Sequence, residues 1–385
     1  MRSTRWPKAL ALTLGLSLIA AACGDDEDPE TTATTAEAGG GETTEGTTAE
    51  TTDTTEGDGG EAAGDFTACE VTDTGGVDDR SFNQTAFEGL ERAAEEGGFE
   101  PTVLESSSES DFAPNIEALL EQNCSLIVTV GFLLGDATAE AAEANPDTNF
   151  AIVDFDFADP ETFEDITYDN VAELTFATDQ AAFLAGYLAA AMTETGVVGT
   201  YGGLNIPTVT IFMDGFAAGI TFFNEETDGA VELVGWDPEA QDGLFTESFD
   251  DQTLGRQTTE TLLDQNADII LPVAGPVGLG SVEAINAGGG TQKLIWVDTD
   301  GCVSVPDACS LFLTSVEKHM DQAVFDTTVA AANDEFESGL YVGTLENDGV
   351  GIAPFNEFED VVPQEIKDRI EELTAEIIAG EIETR

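Results

Sequence analysis

The residues that could do chemistry gather at the carboxyl ends of apolar runs. The first group follows the run ending at Val71 and holds Asp73, Asp78, Asp79, Ser81, Phe82 and Asn83. One ring among several hydrogen-bonding side chains on a short loop suits recognition of a planar polar molecule. The competing reading is an ordinary turn in which Ser81 or Asn83 caps the following helix. Further along, Asp154 ends FAIVD, Phe212 and Asp214 follow Pro207, and Gly275 ends PVAG. Asp298 and Asp300 close IWVDTD, and Lys318 follows LTSVE. Taken singly, each has a plainer role as a capping aspartate, a core phenylalanine, a turn glycine or a solvated lysine. Taken together, in a chain whose strand ends converge on one crevice, they describe a binding site.

Catalysis finds little support. The chain has no G-x-S-x-G elbow, no P-loop and no H-E-x-x-H, and His319 is its single histidine. The glycine-rich run GPVGLGSVEAIN lacks dinucleotide-fingerprint spacing. The pair Asp78–Asp79 could serve glycosidic acid/base work, but among 78 acidic residues such pairs arise by chance. The sequence therefore predicts a protein that is not an enzyme and holds neither metal nor cofactor.

The elements that must position these residues alternate between two periodicities. From Val71 to Phe99 the pattern reads strand, Gly75-Gly76 turn, helix. A strand at PTVLES, a helix over 113–122, the strand CSLIVTVG, a helix over 136–144 and the strand TNFAIVDF follow. Residues 178–193 read as a small-residue helix packed on something flat. Then GVVGTYGGLNIPTVTIFMDGFAAGI repeats the opening layout of strand, Gly-Gly and Phe-bearing segment, which suggests two similar lobes. Strands are expected at 231–235, ADIILPVAG, KLIWVDTD and SLFLTS, with closing helices over 316–332 and 363–379. Strands alternating with helices imply parallel sheets covered on both faces.

The first 23 residues carry Arg2, Arg5 and Lys8, then ALALTLGLSLIAAA, then Cys23. That is a secretory signal rather than a membrane span. Residues 24–64 hold 13 acidic side chains, no basic ones and no apolar side chain larger than alanine. Such a segment cannot bury enough surface to offset its ordering entropy and reads as a disordered acidic tether. Three of the 11 basic residues precede Cys23 while all 78 acidic ones follow it, so the chain from Cys23 onward carries a formal charge of −70. That balance excludes nucleic acid as a partner and disfavours polyanionic ligands. It also suits a salty habitat. Four further cysteines in an exported chain suggest disulfides. Cys302 and Cys309 flank a short loop and are expected to pair. Cys69 and Cys124 open two strands and would meet if those strands are neighbours. Zinc is the alternative, against which stand the absence of Cys-x-x-Cys and the single histidine.

The motifs DTGGVDDRSFNQTAFEGL, VGFLLGDA, NPDTNFAIVD, FATDQAAFLAGYLAA, VGTYGGLNIPTV, ADIILPVAG, WVDTD and LTSVEKHMDQAV occur in that order between Phe66 and Glu381. Together they resemble the basic membrane protein family of bacterial lipoproteins, of the purine nucleoside receptor A type, which are substrate-binding proteins of ABC transporters. The resemblance implies a type I periplasmic-binding-protein fold, α/β, with two Rossmann-like lobes whose parallel sheets are joined by crossover strands. It implies an N-terminal lobe over 65–176 completed by about 312–345, and a C-terminal lobe over 177–311 completed by about 346–385. The Ala20-Ala21-Ala22-Cys23 segment resembles a lipobox, with Cys23 lipidated and anchoring the protein on the outer face of the cell membrane beside its permease. A purine nucleoside between the lobes would stack on Phe82 and Phe212, and Asp79 would read the base. Asp78 stands where such receptors often have asparagine. Asp154 would sit at the lobe seam, and Gly275, Asp298 and Lys318 would hold the ribose. The other solute open at this stage is a sugar in the same cleft, and the other role a surface module unconnected with transport.

Overall fold

A computed structural model describes residues 66–158 and 165–385. The signal segment, Cys23 and the acidic tether lie outside the described residues. The described chain begins with β1 (Ala68–Val71), α1 (Phe82–Gly97), β2 (Thr102–Leu104), α2 (Phe112–Glu121), β3 (Leu126–Val130), α3 (Gly135–Ala144), β4 (Asn149–Val153) and β5 (Val171–Phe176). A second run follows with α4 (Thr178–Met192), β6 (Val197–Gly202), α5 (Pro207–Thr227), β7 (Glu232–Val234), and a short pair, β8 (Trp236–Asp237) and β9 (Asp242–Gly243). It continues through α6 (Gln252–Leu263), β10 (Ile269–Val273), α7 (Gly278–Gly288), β11 (Lys293–Asp298), α8 (Gly301–Ser304) and β12 (Phe312–Lys318). Last come α9 (Met320–Ala332), β13 (Gly339–Gly343), β14 (Val350–Ile352) and α10 (Gln364–Ile378).

The strands form two six-stranded sheets, ordered β13-β5-β4-β3-β1-β2 and β14-β12-β11-β10-β6-β7. Within these two sheets every pairing is parallel except that of β14 with β12, and the separate β8–β9 pair is antiparallel. This is the type I periplasmic-binding-protein architecture of two α/β lobes. The central strands LIVTV and IILPV are buried along their whole length, as strands covered by helices on both faces must be. The chain passes between the sheets after Phe176, after Lys318 and after Gly343.

Two expectations move. The strand that opens at Phe312 belongs to the second sheet, so the return to the first comes after Lys318 rather than near residue 312. The helix expected from Val316 starts at Met320, because Val316, Glu317 and Lys318 pair with both β11 and β14. The small-residue helix α4 packs on β12 and β14 of the second sheet, the flat neighbour expected, and most extensively on another helix, α5. A Cβ on Gly219 would sit 2.0 Å from the Phe183 carbonyl oxygen, and one on Gly186 would sit 2.2 Å from that of Phe216. Alanine and glycine on the contact face thus set how closely the two backbones approach.

Cys69 and Cys124 are disulfide-bonded, with Cα atoms 6.0 Å apart, and so are Cys302 and Cys309, at 4.4 Å. β1 pairs directly with β3, and this brings the first two cysteines together. No described helix is long and apolar enough to cross a membrane.

Candidate ligand-binding site

The loop after β1 is shaped by its own side chains. Oδ1 of Asp79 accepts hydrogen bonds from the amides of Ser81 (3.0 Å) and Gln84 (3.1 Å). Its Oδ2 accepts from the amide of Asn83 (2.9 Å) and from Asn83 Nδ2 (3.2 Å). Asp79 therefore caps α1, the task that local reading offers to Ser81 or Asn83. Four donors occupy the acceptor positions of one carboxylate. Burial pushes its carboxyl up to about 7. Its neighbour Asp78 is exposed and does not line the cavity described below. The turn that directs Asp79 inward directs Asp78 outward.

Ser81, freed from capping, reaches across to the other lobe. Its hydroxyl lies 2.6 Å from Asp298 Oδ2, to which it donates. Asp298 ends β11 at φ 70° and Asp154 follows β4 at φ 65°. Left-handed backbone on a non-glycine residue costs on the order of 1 kcal/mol and persists where the surroundings impose it. Lys318, the last residue of β12, meets both carboxylates. Its Nζ is 2.6 Å from Asp154 Oδ2 and 3.6 Å from Asp298 Oδ1. Asp154 belongs to the first lobe, and Lys318 and Asp298 to the second.

The same ammonium lies 4.7 Å from the ring centroid of Phe82 and 5.5 Å from that of Phe212. Phe82 opens α1, and Phe212 is buried on α5. Gly275 follows β10 at φ 52°, a conformation that favours glycine, with no atom near where a Cβ would stand. Asp73, Asp79, Phe82, Asp154, Phe212, Gly275, Asp298 and Lys318 all line one cavity of about 60 Å³ at the carboxyl ends of strands from both sheets. Of the eight ligand-contacting residues expected from sequence, only Asp78 stands apart.

Asp73 and Thr208 are polar lining residues outside the expected eight, although Asp73 belongs to the loop singled out in the sequence. The position of Asp73 just past the strand end was the available signal. Phe132 and Phe249 also line the cavity. Phe249 comes from a loop without regular structure, where periodicity points to nothing. The four carboxylates of the lining face one ammonium. Burial pushes the carboxyls of Asp73 and Asp154 upward, in Asp154 against the pull of Lys318. Among the described residues no cluster of His, Cys, Asp and Glu is arranged to hold a metal ion.

Two α/β lobes, three crossings between them and an interlobe cavity walled by rings and hydrogen-bonding side chains define the class of solute-binding proteins. Residues 66–385 match the family of ABC transporter substrate-binding proteins described as PnrA-like, and the chain belongs to that family. The ABC transporter nucleoside-binding protein BmpA of Lactococcus lactis is 31% identical, over 80% of this chain and 86% of its own. Basic membrane protein A of Borreliella burgdorferi is 30% identical, over 80% of this chain and 84% of its own. A solved solute-binding protein of an ABC transporter system from Aeropyrum pernix K1 superposes with a TM-score of 0.73 at 25% identity, covering 83% of this chain and 92% of that one. As a member of a family of ABC transporter substrate-binding proteins, the chain is a binding protein rather than an enzyme.

Proposed function

We propose that the protein captures a purine nucleoside outside the cytoplasm and presents it to the permease of an ABC importer. The observation that carries this reading is the pair of rings, Phe82 and Phe212, that line one interlobe cavity with centroids 4.7 and 5.5 Å from Lys318 Nζ. A base stacked on an aromatic side chain gains about 1–3 kcal/mol per ring. Lys318 donates to ribose hydroxyls, and Asp298 and Asp154 accept from them. A nucleoside is neutral, so it escapes the repulsion that a chain of formal charge −67 imposes on a nucleotide. The Lactococcus relative is itself named a nucleoside-binding protein. Cys23, in its lipobox-like setting, provides the membrane anchor, and residues 24–64 provide the tether.

Ligand pockets of this kind measure about 300–1,000 Å³. A cavity of about 60 Å³ holds only a few waters, so capture requires the lobes to part and close again. The Lys318–Asp154 and Ser81–Asp298 bonds are the contacts that break on opening. Calorimetry with guanosine, inosine, adenosine, ribose, a hexose and GMP tests the reading. Saturable binding of at least one nucleoside, with ribose and GMP far weaker, is expected. Binding of the sugars alone, or release of a free base during incubation, overturns it.

A further inference from the structure

We propose that His319 is a positioning residue for Lys318: its charged ring bridges two of the three crossings between the lobes and so holds the ammonium in the cavity. His319 follows Lys318 directly, on the crossing from β12 to α9. Its amide donates to the Gly349 carbonyl at 3.0 Å. Its Nδ1 meets the carbonyl of Asp348, and its Nε2 lies 3.9 Å from Glu317 Oε2. Asp348 and Gly349 belong to the crossing from β13 to β14, and Glu317 belongs to β12. One ring therefore joins the end of a strand in the second sheet to the segment that returns from the first. That segment is fixed by its own bonds. Asn347 Oδ1 accepts from the amides of Thr344 (2.7 Å) and Gly349 (3.1 Å), and the Leu345 amide donates to Gln180 Oε1 of α4 at 2.9 Å. Lys318 pairs with Val350 just beyond it.

A carbonyl only accepts, so Nδ1 carries its proton in either charge state of the ring. The proton that comes and goes is the one on Nε2. With it, an N–H faces the Glu317 carboxylate. Without it, a lone pair faces that carboxylate, and the ring is repelled from the place where it serves Asp348. The other charges around the ring are Asp321 on α9, the exposed side chains of Asp348 and Glu346, and Arg92 of α1, which is paired with Asp321 at 3.0 Å. The Lys318 ammonium is turned to the cavity and paired with Asp154. These surroundings favour the charged ring, and the bond to Glu317 pushes it up to about 8. Parting the lobes bends the crossings and loosens the bridge, so the closed form holds this proton more tightly. The contribution to closure is complete below the ordinary histidine value of 6.5 and is lost as pH rises through about 8.

Two measurements on the whole chain test the assignment. The chain has one histidine and four lysines, so selective carbon-13 labelling resolves the His319 ring and the Lys318 Cε by magnetic resonance. Without ligand, the Lys318 signal should move with the same midpoint as the His319 ring, and in His319→Gln that movement should vanish. Calorimetry with guanosine as the probe should show binding about three- to tenfold weaker at pH 9 than at pH 6.5. His319→Gln should bind at both pH values as the parent does at pH 9. His319→Arg, which keeps a charge throughout, should bind at both as the parent does at pH 6.5. Asp79, whose carboxyl titrates at about 7, is the same in all three proteins, so the differences between them report His319 alone. A variant with the parent's pH profile overturns the proposal, and so does a Lys318 signal that ignores the His319 midpoint. Should His319→Gln fail to fold, Glu317→Gln takes its place and should bring both midpoints down together. If guanosine binds at no pH, the nucleoside reading falls, and the Lys318 signal decides this proposal alone.

Discussion

Lys318 Nζ lies 2.6 Å from Asp154 Oδ2, although 164 residues separate the two and each closes a strand of a different sheet. Both side chains are almost wholly buried, at 3% and 8% exposure. Removing one partner from such a pair leaves a buried charge and costs about 3–5 kcal/mol, whereas removing both costs much less. Lys318→Met should therefore lower unfolding stability by that order and eliminate measurable solute binding. Lys318→Met with Asp154→Leu should regain most of the stability and none of the binding. Denaturant titration of the three proteins checks this. Equal stability of the single and double variants would count against the pair.

Phe82 is partly buried and packs at the edge of the core while lining the cavity, so its loss should be felt more in binding than in folding. Phe82→Ala should weaken nucleoside affinity by the stacking worth of one ring, about 1–3 kcal/mol, with a melting temperature close to that of the parent. Calorimetry showing unchanged affinity would sink the role given to this ring.

Asp79→Ala should behave differently from Phe82→Ala. The carboxylate caps α1, and loss of a cap costs about 0.5–2 kcal/mol of stability. Weakened binding should therefore come with a lowered denaturation midpoint. A variant of parental stability would mean the cap is unimportant.

Glu70 is fully buried in β1, and neither carboxylate oxygen has a hydrogen-bond partner among the described residues. Burial, with Asp79 and Glu91 nearby, holds its carboxyl well above the ordinary value of 4.5. A group whose pKa is raised on folding favours the folded state below its unfolded pKa. That contribution is lost as pH climbs from there through the raised value. Glu70→Gln should accordingly gain stability over the parent at pH 8 and gain little at pH 4. Melting curves at the two pH values decide it, and a gain that does not depend on pH would refute the assignment.

The acidic surface predicts a salt effect. At formal charge −67 the folded chain repels itself, and salt screens exposed charges over about 10 Å at 0.1 M and about 3 Å at 1 M. The melting temperature should rise between low and molar sodium chloride. A flat or falling trend would remove the link between this composition and a saline setting.

Much of the fold was legible because it depends on local periodicity. Apolar runs such as LIVTV and IILPV are short, β-branched and bounded by glycine or proline, so strand and helix alternate visibly. Elements ending at such runs place loop residues at strand ends, and for this reason Phe82, Asp154, Gly275, Asp298 and Lys318 could be singled out. The end of β12 was not legible. Its last residues, Glu317 and Lys318, look solvated in sequence, and only pairing with β11 and β14 makes them strand.

What the tertiary structure alone decided is direction and partnership. Asp78 and Asp79 are adjacent and chemically identical, yet one faces solvent and the other caps a helix, because four donors lie where only the second can reach them. Ser81 turned out to bridge the lobes rather than cap α1, since Asp79 had taken that task. Asp73 turns Oδ1 inward to the loop because the Gly75 amide and Asn83 Nδ2 both donate to it. Residue type and spacing set which groups reach a strand end. Which of them meet across the cleft depends on contacts between residues more than 150 positions apart, and no local pattern encodes those.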